Sequence, residues 1–336
     1  MHQIKQLPED FIVKEISKIK PQNNGQSAYY NLKKTNYTTI DALQILSNKF
    51  RIPLKHFGFA GNKDKNAIIE QKISIFRGSK NFENIKFDNI ELKYLGNGKE
   101  PISLGDLEGN EFVITVRNLD KKHIKKIQTL KNKKIKIPNL YGPQRFSKNN
   151  HLAGKAIIKR DFKKAIDCVL ENNGIIENKI RDYIKGNKNN YIGALRLIPL
   201  KTLKLFIHSY QSFLFNKIAN EYLSYNKNPR NLKIPIIGFD FELSKIKDIQ
   251  LKNIFKKTTD EEKINPRDFI ISQIPELTSE GNFRDLFFAL NFKILEIAKD
   301  ELNKNNQKIK INFALPKSCY ATIALEFLFQ QPQQLS

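Results

Sequence analysis

The feature that most constrains this chain is a change of hydrophobic period along it. Near the start, side chains alternate. Phe11, Val13 and Glu15 share one face of a strand, with Ile12 and Lys14 on the other. A second strand is expected at 29–34. A third is expected at 67–76, with Ile69, Ile73 and Ile75 on one side, and a fourth at 111–117, where Phe112, Ile114 and Val116 alternate. His56-Phe57-Gly58-Phe59-Ala60 reads as a buried strand ended by the turn at 61–66. Helical spacing intervenes twice in this region. Ile40, Leu43, Leu46 and Phe50 follow a Thr38 or Thr39 cap, and Ile124, Ile127 and Leu130 form the inner face of a basic helix. The middle is helix-rich, with helices expected near 150–171, 176–186 and 199–223, and 225–280 shows no clear period. Towards the end a helix is expected over 283–303, then strands at 308–314 and 320–329, then a frayed tail at 330–334. Strand-rich ends around a helical middle imply an α+β chain, one sheet domain interrupted by an insertion.

At 336 residues the chain is long enough for two domains. Lysine and arginine number 58 against 34 acids, a net charge of +24, which calls for a polyanionic partner, nucleic acid first. No apolar run reaches the length of a membrane span, and the N-terminus lacks a signal-peptide core. Two cysteines and five scattered histidines give neither a disulfide framework nor metal-ligand spacing. The expected setting is the cytoplasm, without membrane, metal or cofactor.

Three segments carry potential chemistry. In the turn after the 56–60 strand, Asp64 stands between Lys63 and Lys65, two cations that favour its ionised form and fit it to act as nucleophile or base. A merely solubilising charged turn is the plainer reading. Asn62-Lys63-Asp64-Lys65 is close to a guanine-recognition tetrad, but Lys65 occupies the place of the required acid and no phosphate loop exists. The second segment, Pro138-Asn139-Leu140-Tyr141-Gly142-Pro143-Gln144-Arg145-Phe146, is expected to be an ordered loop. It offers a ring to stack on a base, amides to read its edge and a guanidinium for phosphate. The alternative is a tight loop whose tyrosine only covers the core. The third is the lysine run at 121, 122, 125, 126, 131, 133, 134 and 136, which leads into that loop and suits an RNA-binding rim.

Taken in order, these segments resemble the TruD family of transfer-RNA pseudouridine synthases. Lys5-Gln6-Leu7-Pro8-Glu9-Asp10-Phe11-Ile12-Val13-Lys14-Glu15 is similar to the family's Lys-x-x-Pro-Glu-Asp-Phe-x-Val-x-Glu. Lys34-Thr35-Asn36-Tyr37-Thr38-Thr39, then Phe59-Ala60-Gly61-Asn62-Lys63-Asp64-Lys65-Asn66-Ala67 and Gln71, continue the series. Leu104-Gly105, Gly109-Asn110-Glu111-Phe112 and the loop from Asn139 to Phe146 follow. So do Tyr210-Gln211-Ser212-Phe213-Leu214-Phe215-Asn216, Glu280-Gly281-Asn282-Phe283-Arg284 and Leu315-Pro316-Lys317-Ser318-Cys319-Tyr320-Ala321-Thr322.

The resemblance implies a catalytic domain with a mixed, mostly antiparallel sheet and flanking helices, formed by 1–157 and 306–336. An inserted α/β domain would span 158–305, with the helix at 199–223 free to pack on the catalytic domain. RNA would lie in the cleft between the domains. Asp64 would be the nucleophile, with Lys5 and Glu9 building the site around it. Asn139, Tyr141, Gln144, Arg145 and Lys63 would bind the substrate, Tyr141 standing where the family usually has Phe. Ser147 and Ser318 replace family glycines, and Ile69 replaces a threonine. The implied reaction converts a uridine of tRNA, uridine 13, to pseudouridine. A monomer is expected, because two domains suffice to form a cleft. The rivals are an RNA-binding protein without chemistry and a synthase acting on another RNA position.

Overall fold

A computed structural model describes residues 2–329 apart from 83–84, 132, 148 and 227–228. The tail expected at 330–334 lies outside the described residues. The chain divides into two compact units, Met1–Ile137 with Ala289–Gln331, and Pro138–Phe288.

In the first unit the strands are β1 (Phe11–Ser17), β2 (Ser27–Thr35), β3 (Phe57–Phe59), β4 (Ile68–Phe76), β5 (Ile85–Phe87), β6 (Ile90–Gly98) and β7 (Leu107–Leu119). Its first helices are α1 (Thr39–Phe50) and α2 (Lys121–Leu130). Strand β8 (Ile135–Pro138) leads into the second unit. That unit contains α3 (Asn150–Ile158), α4 (Phe162–Leu170), α5 (Ile175–Gly186), α6 (Tyr191–Arg196), α7 (Leu200–Tyr225), β9 (Lys233–Ile236), α8 (Ile249–Glu262) and β10 (Asn282–Asp285). Strand β11 (Phe287–Leu290) returns to the first unit, which ends with β12 (Phe292–Lys299), β13 (Gln307–Pro316) and α9 (Ala321–Phe329).

The main sheet runs β12-β13-β7-β1-β4-β2-β6-β5, with β3 also on β4. Its pairings are antiparallel except β1 with β4, which run parallel with Ile12 opposite Ile68. The expected alternation is realised: Phe11, Val13 and Glu15 are buried, as are Ile69, Ile73 and Ile75. Thr38 caps α1, its hydroxyl accepting from the Asp41 N–H. The fold class is therefore α+β with a mostly antiparallel sheet.

Two expectations about the end of the chain fail. Residues 283–303 are not helical but form β10, β11 and β12. That apolar run matches helix and strand templates alike, and pairing with β13 across seven residue pairs decides it. Conversely, 320–329 holds a helix, α9, not a strand. Ala321, Ala324, Leu325 and Leu328 are buried, and their spacing is helical. The helix expected at 150–171 is split between α3 and α4 by a left-handed Arg160, and α6 was not anticipated. In the second unit α3 packs directly on α7. A Cβ on Gly154 would lie 2.1 Å from the Phe206 carbonyl oxygen, so only glycine permits this approach.

Arg117 on β7 ties the N-terminal turn to the β12–β13 connection. Its buried guanidinium donates to both Asp10 oxygens at 2.9 Å, to Asp300 at 3.0 Å and to Glu301 at 3.0 Å. Burial pushes the Asp300 carboxyl up. Hydrogen bonds from the Asn118 and Leu302 N–H groups, Asn303 and Arg117 outweigh that and hold it below the usual range. Arg117→Met leaves buried carboxylates uncompensated and should cost about 3–5 kcal/mol in urea unfolding. Because the folded pKa of Asp300 is depressed, its contribution is present above about pH 4 and is lost as pH falls through the folded value. Asp300→Asn should therefore flatten the acid limb of the stability curve.

Candidate active site

The parallel pairing of β1 and β4 places the segments that precede both strands at one end of the sheet. Lys5 lies six residues before Phe11, and Asp64 lies four before Ile68. Strand β2 runs antiparallel to β4, so its last residues, Lys34 and Thr35, face Ile69 and Ile68 at that same end. Here Lys5 forms an ion pair with the half-exposed Asp64 carboxylate. The Lys5 ammonium also lies 4.2 Å from the centre of the Phe11 ring, and its backbone is left-handed at φ 59°. A non-glycine residue held in that conformation costs of order 1–3 kcal/mol, and such strain clusters at working sites.

Neither flanking lysine is in ion-pair contact with the Asp64 carboxylate, although the charges of Lys63 and Asp64 interact. Lys65 is exposed, and Lys63 turns inward, where its ammonium pairs with Glu15 at 3.3 Å and donates to Asn110. Burial lowers the Lys63 pKa, and the charges of Glu15 and Asp64 partly restore it. The Lys63 N–H donates to Thr39 Oγ1 at 2.9 Å, and that hydroxyl donates to Gln71 Oε1 at 2.9 Å. The loop's backbone is thus held by α1 and β4. Lys34 is fully buried and donates to the carbonyls of Tyr37 and of Asp64 itself, the latter at 2.9 Å. Glu9 takes part in none of these hydrogen bonds or ion pairs. It is exposed on the short helical turn Pro8–Asp10 and lines a cavity of about 310 Å³ with Lys308 and Lys310, among others.

In the second unit the 139–146 loop is built around Arg284. Its guanidinium donates to the Asn139 carbonyl at 2.7 Å and to Asn139 Oδ1 at 2.6 Å, and lies 4.1 Å from the centre of the Tyr141 ring. The Asn139 amide in turn donates to the Asp285 carbonyl at 3.0 Å, so both of its polar atoms are engaged inside the unit. Asn216 on α7 clamps the Tyr141 backbone, accepting from its N–H at 2.8 Å and donating to its carbonyl at 2.9 Å. The Tyr141 ring meets Phe215 edge-on and keeps one part exposed. Arg145 donates to Ser212 at 3.2 Å, and Gln144 is exposed beside it. Ser147 and Ser318, the two serines in place of family glycines, both adopt left-handed backbone, φ 47° and 70°. The glycine there answers a backbone requirement that serine meets with strain.

Sequence reasoning named Asp64 and Lys5, which the structure brings into one ion pair, but did not single out Lys34, Glu15 or Arg284 as supporting groups. All three lie inside motifs of the family resemblance, and for Glu15 and Arg284 the reason is distance. Their partners are 48 and 145 residues away, and no local signal points to them. Among the described residues no His, Cys, Asp and Glu group is placed to hold a metal, and no helix is long and apolar enough to cross a membrane.

The first unit thus presents a half-exposed aspartate paired with a lysine of left-handed backbone, and the second an aromatic loop backed by an arginine. The family model of tRNA pseudouridine synthase D (TruD) matches residues 2–181 and 223–327. The chain belongs to that family. It is 29% identical to "tRNA pseudouridine synthase D" of Aquifex aeolicus (strain VF5), covering 97% of each chain. It is 30% identical to "Probable tRNA pseudouridine synthase D" of Nanoarchaeum equitans (strain Kin4-M), covering 98% of this chain and 99% of the other. The crystal structure of the TruD protein of Methanosarcina mazei matches with a TM-score of 0.74 at 25% identity, covering 99% of this chain and 94% of that one.

The Lys63–Glu15 pair is testable by itself. Lys63→Met leaves a buried carboxylate unpaired and should cost about 3–5 kcal/mol. Adding Glu15→Gln should recover part of that loss. A double-mutant cycle on denaturant unfolding measures the coupling.

Proposed function

We propose that the protein isomerises a uridine of tRNA, uridine 13, to pseudouridine, with Asp64 as nucleophile. The observation that carries this reading is the ion pair between Lys5 and an aspartate that is still half exposed. That arrangement holds an anion oriented while leaving it open to a substrate. In the reaction the bond between uracil N1 and the ribose C1′ breaks and the base turns. A bond from C5 to C1′ forms, C5 gives up its proton, and N1 gains one. Atoms and electrons balance without an external donor. The target base must leave its stack, at a cost of about a few kcal/mol. A base stacked on an aromatic ring such as Tyr141 gains roughly 1–3 kcal/mol. Arg284 behind that ring fixes its plane.

Binding is assigned to charge. Lys121, Lys122 and Lys125 on α2, and Lys131, Lys133, Lys134 and Lys136 after it, are exposed and form a basic stripe. Proteins of the family that match this chain carry tRNA in their names, which supports RNA as the polyanion.

The test is an unmodified tRNA transcript incubated with wild-type protein and with Asp64→Asn, pseudouridine being mapped by carbodiimide and primer extension. We expect a single new stop for position 13 with wild type and none with Asp64→Asn, whose RNA affinity should stay within about threefold. Turnover by Asp64→Asn rules out the nucleophile assignment, and a stop elsewhere rules out the position. Binding should also weaken a few hundredfold between about 50 and 200 mM salt if about five phosphates are neutralised. A flat filter-binding response over that range removes the role given to the basic stripe.

A further inference from the structure

Lys34 has no part in the reaction as described so far, yet it is among the largest fully buried side chains of the chain. It is the penultimate residue of β2, and its ammonium donates to two backbone carbonyls, those of Tyr37 and Asp64. Among the described residues no carboxylate lies within ion-pair distance of it. Closing a turn this way is costly, because a buried ammonium loses its hydration and two neutral carbonyls restore only part of it. A neutral amide could satisfy the same carbonyls at lower cost. What a neutral group cannot supply is a positive charge directly behind the Asp64 backbone.

We propose that Lys34 is a positioning residue for the isomerisation: it holds the carbonyl of Asp64 in place and sets a buried positive charge behind that residue's carboxylate. This rests on the reading of Asp64 as nucleophile. Lys5 grips the carboxylate from the exposed side, and Lys34 grips the main chain from the buried side. The Thr39 hydroxyl fixes the next N–H along, that of Lys63. The loop is thereby held at neighbouring peptide groups and at the reacting side chain. The charged groups that face Lys34 are Asp64 and Lys63 from the loop and Asp41 from α1. Burial, partly opposed by the two aspartates, pushes Lys34 down to about 8, so its charge is lost within an accessible range.

The experiment uses the full chain and a tRNA transcript carrying uridine tritiated at C5, which releases tritium when C5 bonds to the ribose. Single-turnover rates are measured for wild type, Lys34→Met, Lys34→Gln and Asp64→Asn, together with RNA Kd and thermal midpoints. A displacement of the reacting group by about an ångström costs about 100-fold. We expect Lys34→Met to lose about 30- to 100-fold in rate with Kd within twofold, and Lys34→Gln, which keeps a donor without the charge, to lose less. In wild type the rate should fall as pH rises through about 8, and this limb should vanish in Lys34→Gln. Its disappearance there separates Lys34 from Lys63 and from the uracil, whose titrations the substitution leaves in place. Rates within threefold of wild type in folded Lys34→Met overturn the proposal. So does an alkaline limb that persists in Lys34→Gln. If Lys34→Met does not fold, Lys34→Gln and the wild-type pH profile decide. An inactive Asp64→Asn beside a fully active Lys34→Met would sink this inference alone, whereas an active Asp64→Asn would sink the nucleophile reading.

Discussion

The site depends on one parallel pairing. Strand β4 shares one of its edges between two partners: β1 along residues 68–70 and β3 along 73–75. Because β1 and β4 point the same way, the segments leading into both strands meet at one end of the sheet. An antiparallel arrangement would send Lys5 to the opposite end from Asp64. With β2 antiparallel on the far side of β4, the end of that strand arrives at the same place, and Lys34 comes with it. Three segments separated by up to 59 residues thus converge through backbone hydrogen bonding alone.

Electrostatics then divides the lysines around Asp64 into different tasks. Lys5 is partly exposed and pairs with the carboxylate. Lys63 is buried and neutralises Glu15 beneath the loop. Lys34 is the deepest and donates to two main-chain carbonyls. The same residue type therefore serves as ion-pair partner, as buried counter-ion and as backbone clamp, according to how much water reaches it. The second unit uses a related device, with Arg284 holding Asn139 and backing Tyr141 at once. In both places a buried cation supports a group that faces solvent.

Much of the fold was legible because the relevant signals are local. Strand β1 alternates between buried and less buried positions, β4 does so over its first half, and the Thr38 cap announces α1. The errors fall where local signals are degenerate. The segment from Phe287 to Lys299 is apolar on no single period, and partner strands decide its form. The final segment reads as a strand by composition and becomes α9 by the burial of Ala321, Ala324, Leu325 and Leu328 on one face.

The sequence alone determined the α+β class and the strong positive charge. It also singled out Asp64 and Lys5, each in a dense local motif, as candidates. Tertiary structure decided which cation meets which anion. Spacing suggests that Lys63 and Lys65 flank Asp64, but strand order delivers Lys5 to the carboxylate and hands Lys63 to Glu15. Ion pairing is set by distance and burial in three dimensions, and neither is encoded in the separation of residues along the chain.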